Sequence, residues 1–458
     1  MFDPKVFKAY DVRGIYPTQI NSEFAYKLGF AYADLRQKEE SREDLTVVVS
    51  RDMRLSSPEL SSSLINGLLD SGVNVVDIGI VSTPTMYFAV GYLNLDGGIQ
   101  VSASHNPKDD NGFKLVRKNG VPVSEDTGIY LLRDAMINTT YTPATQKGTL
   151  TIHENITQEV VATETQTHKL NIANIKPLKI VVDAGNAMGA VDVAEILKTT
   201  NCELIPLNFE LDGSFPVHQP DLLVDANLVQ LQKSVIKHQA DLGIAPDGDG
   251  DRYFFVDEKG EIIRQEILRG IMAQISLKDY PGSTVGYDIR PGKITLDMIL
   301  EAGGKPIVTR VGHSLIKESM IKNNAIFGGE SSGHYFYKFD FGTFEAPTLL
   351  VLKFLQYISE ANKPVSEIIK PLKRYFHSGE INSVVEDTKA KIYELKTHYH
   401  DGDQNDLDGI TITYPEYWFN VRPSNTEPKL RLNLEATTKT MMEQKRDEVL
   451  SIIRGNKV

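Results

Sequence analysis

A single cysteine, Cys202, stands in a chain of 458 residues. A lone thiol excludes an intrachain disulfide and a cysteine-built metal centre, and it fits a reducing compartment. Set at the start of an apparent strand, it reads as a buried, inert side chain. Long apolar runs are also missing. No stretch of about 18 apolar residues offers a membrane-spanning helix, and Met1-Phe2-Asp3-Pro4-Lys5 opens without the apolar segment of a secretory leader. The expectation is a cytoplasmic protein with no membrane partner. Basic charge is in deficit, 49 Lys and Arg against 61 Asp and Glu for a formal net charge of −12, which argues against nonspecific nucleic-acid binding. Local clusters of Arg and Lys can still capture an anionic small molecule.

What is present is a repeated grammar. Residues 45–50 (LTVVVS), 178–183 (LKIVVD) and 283–289 (STVGYDI) each predict a short buried strand rich in β-branched residues. Each is followed by a polar turn, a helical stretch such as 58–70 or 189–199, and a second strand: 73–80, 202–207 and 305–311. A third strand then delivers a polar loop: 99–101 into SASHNP, 242–245 into PDGDGDR, and 325–327 into GGESSGH. Strand-helix-strand units used three times predict α/β domains. Ligands of such sheets bind beyond the carboxyl ends of the strands, so the three loops are expected to face one cleft. From about 371 the pattern changes to a strand 380–386, a helix 389–398, a hairpin spanning 409–435 and a closing helix 438–454. In that helix Met441, Met442, Val449, Ile452 and Ile453 form a core-facing stripe. The run Asp401, Asp403, Asp406, Asp408 reads as a solvated turn. The boundaries follow as 1–150, 151–255, 256–370 and 371–458.

Four loops carry the chemistry. Ser104 sits at a strand end, where rigid scaffolds place reactive groups, beside His105 and the turn-forming Asn106-Pro107; a plain surface turn explains the motif nearly as well. Asp247, Asp249 and Asp251 alternate with glycines, and three such carboxylates repel one another unless a cation lies between them. Oxygen-only ligands favour Mg²⁺ or Ca²⁺ over zinc. An EF-hand fails because Arg252 occupies the position that demands glycine and the flanks read as strands. An aspartyl-nucleophile phosphatase fails because Asp251 stands where threonine is required. Mg²⁺ bridging to a phosphate, with Arg252 alongside, is preferred over a solvated acidic turn. Glu330, Ser331, Ser332 and His334 suit hydroxyl recognition, although glycine-rich loops are commonly structural. Arg422, Ser424, Asn425 and Thr426 supply a forked cation, hydroxyls and turn amides able to wrap a phosphate, in competition with an ordinary hairpin turn.

SASHNP, DGDGDR, GESSGH and RPSNTEP, in that order, together with FKAYDVRG at Phe7 to Gly14, resemble the signature loops of the alpha-D-phosphohexomutase superfamily across nearly the whole chain. GHSLIK at 312–317 and WFNVRPSNTEP at 418–428 are most similar to its bacterial phosphomannomutase/phosphoglucomutase branch. The resemblance implies three related α/β domains with mixed sheets plus a smaller C-terminal α+β domain around a central active-site cleft. It implies a mutase that interconverts hexose 1-phosphate and 6-phosphate, of mannose and/or glucose, through a phosphoserine and a 1,6-bisphosphate that also serves as activator.

On the same grounds Ser104, Lys114, Arg13 and His334 are catalytic candidates. One Mg²⁺ is expected on Asp247, Asp249, Asp251 and a phosphoserine oxygen of Ser104. His105, Arg252, Arg290, His313, Glu330, Ser332, Arg422, Ser424, Asn425 and Thr426 are candidates for substrate binding. Lys114 is the easier proton carrier, since an ammonium shifts its pKa when crowded whereas a guanidinium hardly does. Because the bisphosphate must bind in two orientations, the contacts that survive the flip are those to the 3- and 4-hydroxyls, assigned by resemblance to Glu330 and Ser332. Such a site distinguishes glucose from mannose poorly. Two positions depart from the pattern: Ser331, where the dual-specificity branch often has Met, and Arg290, where many relatives have lysine. A phosphoglucosamine mutase is the alternative, against which Asn425 leans, and a non-catalytic sugar-phosphate binder stands further off. Segment 51–57 (RDMRLSS) reads as a strand end and helix cap. No feature of the sequence specifies an oligomeric state.

Overall fold

Strands Thr46–Arg51, Asn74–Ile80 and Gly97–Val101 pair in parallel, as their apolar, β-branched runs require when both faces are covered. They form the centre of a six-stranded mixed sheet. Leu150–Ile152 extends it in parallel at one edge, and Asp110–Arg117 and Val12–Ile15 add antiparallel strands at the other. The computed structural model describes residues 2–168, 170–290, 292–423 and 429–455. Helices Ser22–Glu40 and Ser57–Asp70 pack over the sheet. The core between them gathers Phe24, Leu28, Val47, Val49, Leu64, Ile99 and Phe113.

The chain divides into two compact units, Met1–Ile263 with Ser332–Ser366, and Arg264–Ser331 with Glu367–Val458. The first unit holds a second sheet in the order Tyr253–Asp257, Leu242–Pro246, Lys179–Asp183, Glu203–Leu207, whose first pair is antiparallel and whose others are parallel. It also contains the antiparallel pair Tyr335–Phe339 and Gly342–Glu345 and the helix Pro347–Ala361. In the second unit Lys305–Thr309, Thr284–Asp288 and Phe327–Gly329 run parallel. Its C-terminal part is an antiparallel sheet in the order Phe376–His377, Lys429–Ala436, Tyr417–Pro423, Ile410–Thr413, Asp403–Asn405, with Ile381–Val384 also on Lys429–Ala436. Helices Thr388–His398 and Lys439–Arg454 cover it. Met442, Val449 and Ile453 are buried there, while Met441 and Ile452 pack at the margin. Among the described residues no helix is long and apolar enough to cross a membrane.

The structure corrects four details. Cys202 is half-exposed, its thiol 3.5 Å from the Lys176 carbonyl, because the strand after it is a sheet edge with little cover. The strand expected at 325–327 is Phe327–Gly329. Over 409–435 the chain enters three strands, Ile410–Thr413, Tyr417–Pro423 and Lys429–Ala436, where one hairpin was expected. The acidic run includes a short edge strand, and its carboxylates disperse onto separate partners: Asp401 accepts from Tyr414, Asp406 from Lys396, and Asp408 from the Val311 amide.

Candidate active site

The fully buried strand Gly97–Val101 ends in a loop that turns Ser104 into the left-handed region at φ 53°. For an L residue with a side chain this costs about 1–3 kcal/mol, so the surroundings must enforce it. Ser104 is 1 % exposed, buried where a surface turn was the competing reading. Its N–H donates to Ser102 Oγ at 2.9 Å, and its hydroxyl lies 3.1 Å from His105 Nδ1 and donates to Asp247 Oδ2 at 3.3 Å. Burial, then the charges of Arg252 and Arg13, push the His105 imidazole down to about 2, so it is neutral. Arg13 donates to Asp11 at 2.8 Å, to Asn106 Oδ1 at 2.7 Å and to the Ala103 carbonyl at 3.2 Å.

Opposite lies the acidic loop. Strand Leu242–Pro246 runs into it and strand Tyr253–Asp257 leaves antiparallel, with Tyr253 opposite Pro246. Gly250, at φ 76°, makes the turn that an L side chain resists. Asp247 Oδ1 pins the loop by accepting from the amides of Asp251 and Arg252 at 3.1 and 3.2 Å. Gly248 allows the two loops to touch, since a Cβ there would come within 2.3 Å of the Ser104 carbonyl oxygen. Asp247, Asp249 and Asp251 are all buried, and one oxygen of each lies within 4.8 Å of the others.

Lys114, central in strand Asp110–Arg117, reaches Asp249 Oδ2 at 2.5 Å and Asp251 Oδ2 at 2.6 Å. Thr83, first residue of the helix Thr83–Tyr92, donates its hydroxyl to Asp249 Oδ2 at 2.5 Å and its amide to the Asp249 carbonyl at 3.0 Å. Burial alone would lower Lys114, but Asp249 and Asp251 hold it well above the ordinary lysine range. Burial works to raise Asp251, and Lys114, His334 and Arg252 overcome it to hold that carboxyl well below the usual range. Asp247 is left as the group pushed well up, by burial and then by its two acidic neighbours.

Asp249 Oδ1 and Asp251 Oδ1 are buried with no hydrogen-bond partner among the described residues. Leaving charged oxygens so placed is costly. An all-oxygen donor set with unmet negative charge fits a hard divalent cation. The cluster is thus able to hold a metal ion.

His334, 2 % exposed, adjoins this cluster. Arg252 Nε donates to its Nε2 at 3.0 Å, and its Nδ1 lies 3.6 Å from Asp251 and 3.4 Å from Glu345. Ser332 is buried in the same unit. The other candidates belong to the second unit. Glu330, buried, accepts from the Gly312 amide at 2.8 Å, and Arg290 approaches it at 3.9 Å. Arg290 rests on Asp288, which also binds Arg269. Ser331 fits this network: its hydroxyl donates to Asp288 at 2.9 Å and accepts from Arg269 at 3.1 Å. His313 begins the helix His313–Lys322. Arg422, buried, donates to Glu380 at 2.7 Å. Ser424, Asn425 and Thr426 lie outside the described residues.

Two functional neighbours escape a linear reading. Thr83 gives no local sign of its carboxylate, which lies 166 residues on. Arg54 sits in the segment read as a strand end and cap, yet its side chain is wholly buried and it donates to the Ser104 carbonyl at 2.7 Å. The expected cap is not made there: Ser56 Oγ accepts from Asn111 at 2.8 Å instead, and Ser57 donates to Asp52 at 2.5 Å. The spacing Asp52-x-Arg54 was the available signal, because a buried pair needs both members close.

Four sequence families match in succession. They are phosphoglucomutase/phosphomannomutase alpha/beta/alpha domain I over residues 4–137, domain II over 159–260, domain III over 266–375, and the C-terminal domain over 380–452. A phosphomannomutase of Vibrio cholerae is 36% identical over 463 residues, covering 98% of both chains. One of Methanocaldococcus jannaschii is 37% identical over 462 residues with the same coverage. The crystal structure of a phosphoglucomutase/phosphomannomutase family protein from Burkholderia thailandensis superposes with a TM-score of 0.89 at 31% identity, over 98% of each chain. With four domain families matched in order along it, and relatives aligned over nearly its whole length, the chain belongs to the phosphoglucomutase/phosphomannomutase family.

Proposed function

We propose that this phosphohexomutase, an isomerase of carbohydrate metabolism, interconverts hexose 1-phosphate and hexose 6-phosphate of mannose and/or glucose, with Ser104 as phosphoryl carrier. The observation that carries the assignment is the contact of Ser104 Oγ with Asp247 at 3.3 Å, beside two buried carboxylate oxygens that have no hydrogen-bond partner among the described residues. A serine raised only to turn the chain needs no such neighbour. Asp247, Asp249, Asp251 and a phosphoserine oxygen would hold Mg²⁺, which when bound supplies positive charge to the transferring oxygens.

The Oγ–P bond breaks as the phosphorus joins a sugar hydroxyl oxygen. The resulting 1,6-bisphosphate turns over and returns its other phosphoryl group to Ser104. The same bisphosphate, supplied as activator, phosphorylates a bare serine. Lys114, an ammonium clasped by two carboxylates, gives its proton to Oγ as the Oγ–P bond breaks and, left as an amine, takes up the proton that the sugar hydroxyl releases, ending the step as it began. Arg13 keeps its proton and stabilises the charge at Oγ. His105 is neutral and positions the serine. His334 and Arg252 brace Asp251. Glu330 and Ser332 read the 3- and 4-hydroxyls, and Arg290, His313, Arg422, Ser424, Asn425 and Thr426 hold the sugar and the phosphate not in transfer. The four segments 1–150, 151–255, 256–370 and 371–458 are read as one loop-bearing domain each. The single cysteine fits a cytoplasmic setting.

³¹P NMR of the purified protein with Mg²⁺ and a trace of hexose 1,6-bisphosphate tests this. Mannose 1-phosphate or glucose 1-phosphate should be converted to the 6-phosphate. Glucosamine 1-phosphate as the preferred substrate would replace the assignment, and conversion of none of the three would refute it.

A further inference from the structure

We infer that Arg54 and Gln219 are positioning residues that hold the Ser104 loop in its reactive shape by gripping its carbonyl oxygens. The inference rests on the reading of Ser104 as phosphoryl carrier. Every carbonyl from Ala103 to Pro107 accepts from a side chain. Ala103 takes Arg13, and Ser104 and Pro107 each take Arg54 at 2.7 Å. The His105 carbonyl accepts from Gln219 Nε2 at 2.8 Å, and that of Asn106 from both Gln219 and Arg54 at 2.6 Å. Arg54 continues to the Asp110 carbonyl at 2.9 Å.

Four carbonyl bonds from one guanidinium need its rigid planar fork, which a lysine ammonium does not have. The donors also converge on one loop, and that loop holds its serine at a strained φ. Carbonyl oxygens left loose beside a phosphoserine would repel its charge; tied to donors, they are drawn away and neutralised. Arg54 is itself braced. Asp52 lies 3.3 Å from its Nε and the Phe215 ring 5.1 Å from its guanidinium carbon. A Cβ on Gly213 would come 2.6 Å from the Arg54 Cα, so the irregular segment that supplies Gln219 also packs on Arg54. The two grips form one assembly within the first unit.

Gln219→Met and Gln219→Glu test the inference on a half-exposed residue, with Arg54→Lys as a third variant. Removal of two loop bonds in Gln219→Met should lower kcat roughly 10- to 100-fold, the scale of an ångström misplacement at a reacting group, with KM within about twofold. Gln219→Glu should fall further, because an acceptor then faces two acceptors. Arg54→Lys should lose more than Gln219→Met; if it does not fold, the Gln219 pair carries the test. A normal kcat in both Gln219 variants, whether or not their thermal midpoints drop, would overturn the inference and leave the phosphoserine reading standing. Intact-mass analysis of wild-type protein treated with bisphosphate separates the two. No phosphoryl group on Ser104, together with full turnover by Ser104→Ala, would sink the phosphoserine reading and the inference with it.

Discussion

Glu164→Gln should make the protein less sensitive to alkali. Glu164 lies on the helix Ile156–Thr167, is 1 % exposed and accepts from the Thr348 hydroxyl and the Leu349 amide. Its Oε2 has no partner among the described residues, and no cation is among the groups that shift it. Burial therefore dominates and pushes the carboxyl from 4.5 up to about 8. The sign follows from proton counting: between those values the unfolded chain has released its proton and the folded chain has not. Stability is thus fully present below 4.5 and declines as the pH climbs to about 8. At about 1.4 kcal/mol per pH unit, the full gap corresponds to about 5 kcal/mol, of which about 4 falls between pH 5 and pH 8.5. Glutamine keeps the shape and cannot ionise, so any constant cost of its amide offsets the curve without tilting it. Asp192, buried and raised to about 7, titrates in both proteins, and only its repulsion with Glu164, a smaller contribution than burial, survives in the difference. Urea unfolding at half-unit steps of pH should show the variant losing about 4 kcal/mol less than wild type over that window. Parallel curves would refute the reasoning, since they would mean that water already reaches an ionised Glu164 in the folded state.

Ser104→Ala should lower mutase turnover by several orders of magnitude while calorimetry still detects sugar-phosphate binding; substantial turnover would contradict a phosphoserine intermediate. Asp288→Asn should destabilise the second unit by about 3–5 kcal/mol, because Arg269 and Arg290 both rest on that buried carboxylate. A loss below about 1 kcal/mol by urea unfolding would show that solvent already screens the pair. Thr83→Val, nearly isosteric, should weaken direct binding of Mn²⁺, followed by electron paramagnetic resonance, by about 10- to 100-fold, with Thr83→Ser restoring it. Unchanged binding would remove Thr83 from the support of Asp249.

The parts of the site that could be read from the sequence are those whose meaning is local. Three aspartates alternating with glycines repel one another whatever the fold, and a serine before Asn-Pro at a strand end announces a loop. Strand boundaries came close because β-branched runs flanked by turns are also local signals. Arg54 and Gln219 could not be read this way, since their carbonyl partners lie about 50 and 113 residues away. Cys202 was misjudged because whether a strand lies at a sheet edge depends on pairing order, which periodicity does not encode. Ser331 stood out as a departure, and only the fold shows its hydroxyl between Asp288 and Arg269.

Gly248 has a consequence for how this enzyme can vary. The spacing between the serine loop and the acidic loop is set there by the thickness of two bare backbones, since a Cβ at this position would lie 2.3 Å from the Ser104 carbonyl oxygen. A spacing set by side chains can be adjusted one methylene at a time, and this one has no smaller or larger setting. A saturation library at residue 248 should return glycine alone among active clones. The approach of the serine loop to the acidic loop is then fixed by backbone alone, beyond the reach of side-chain substitution elsewhere in either loop.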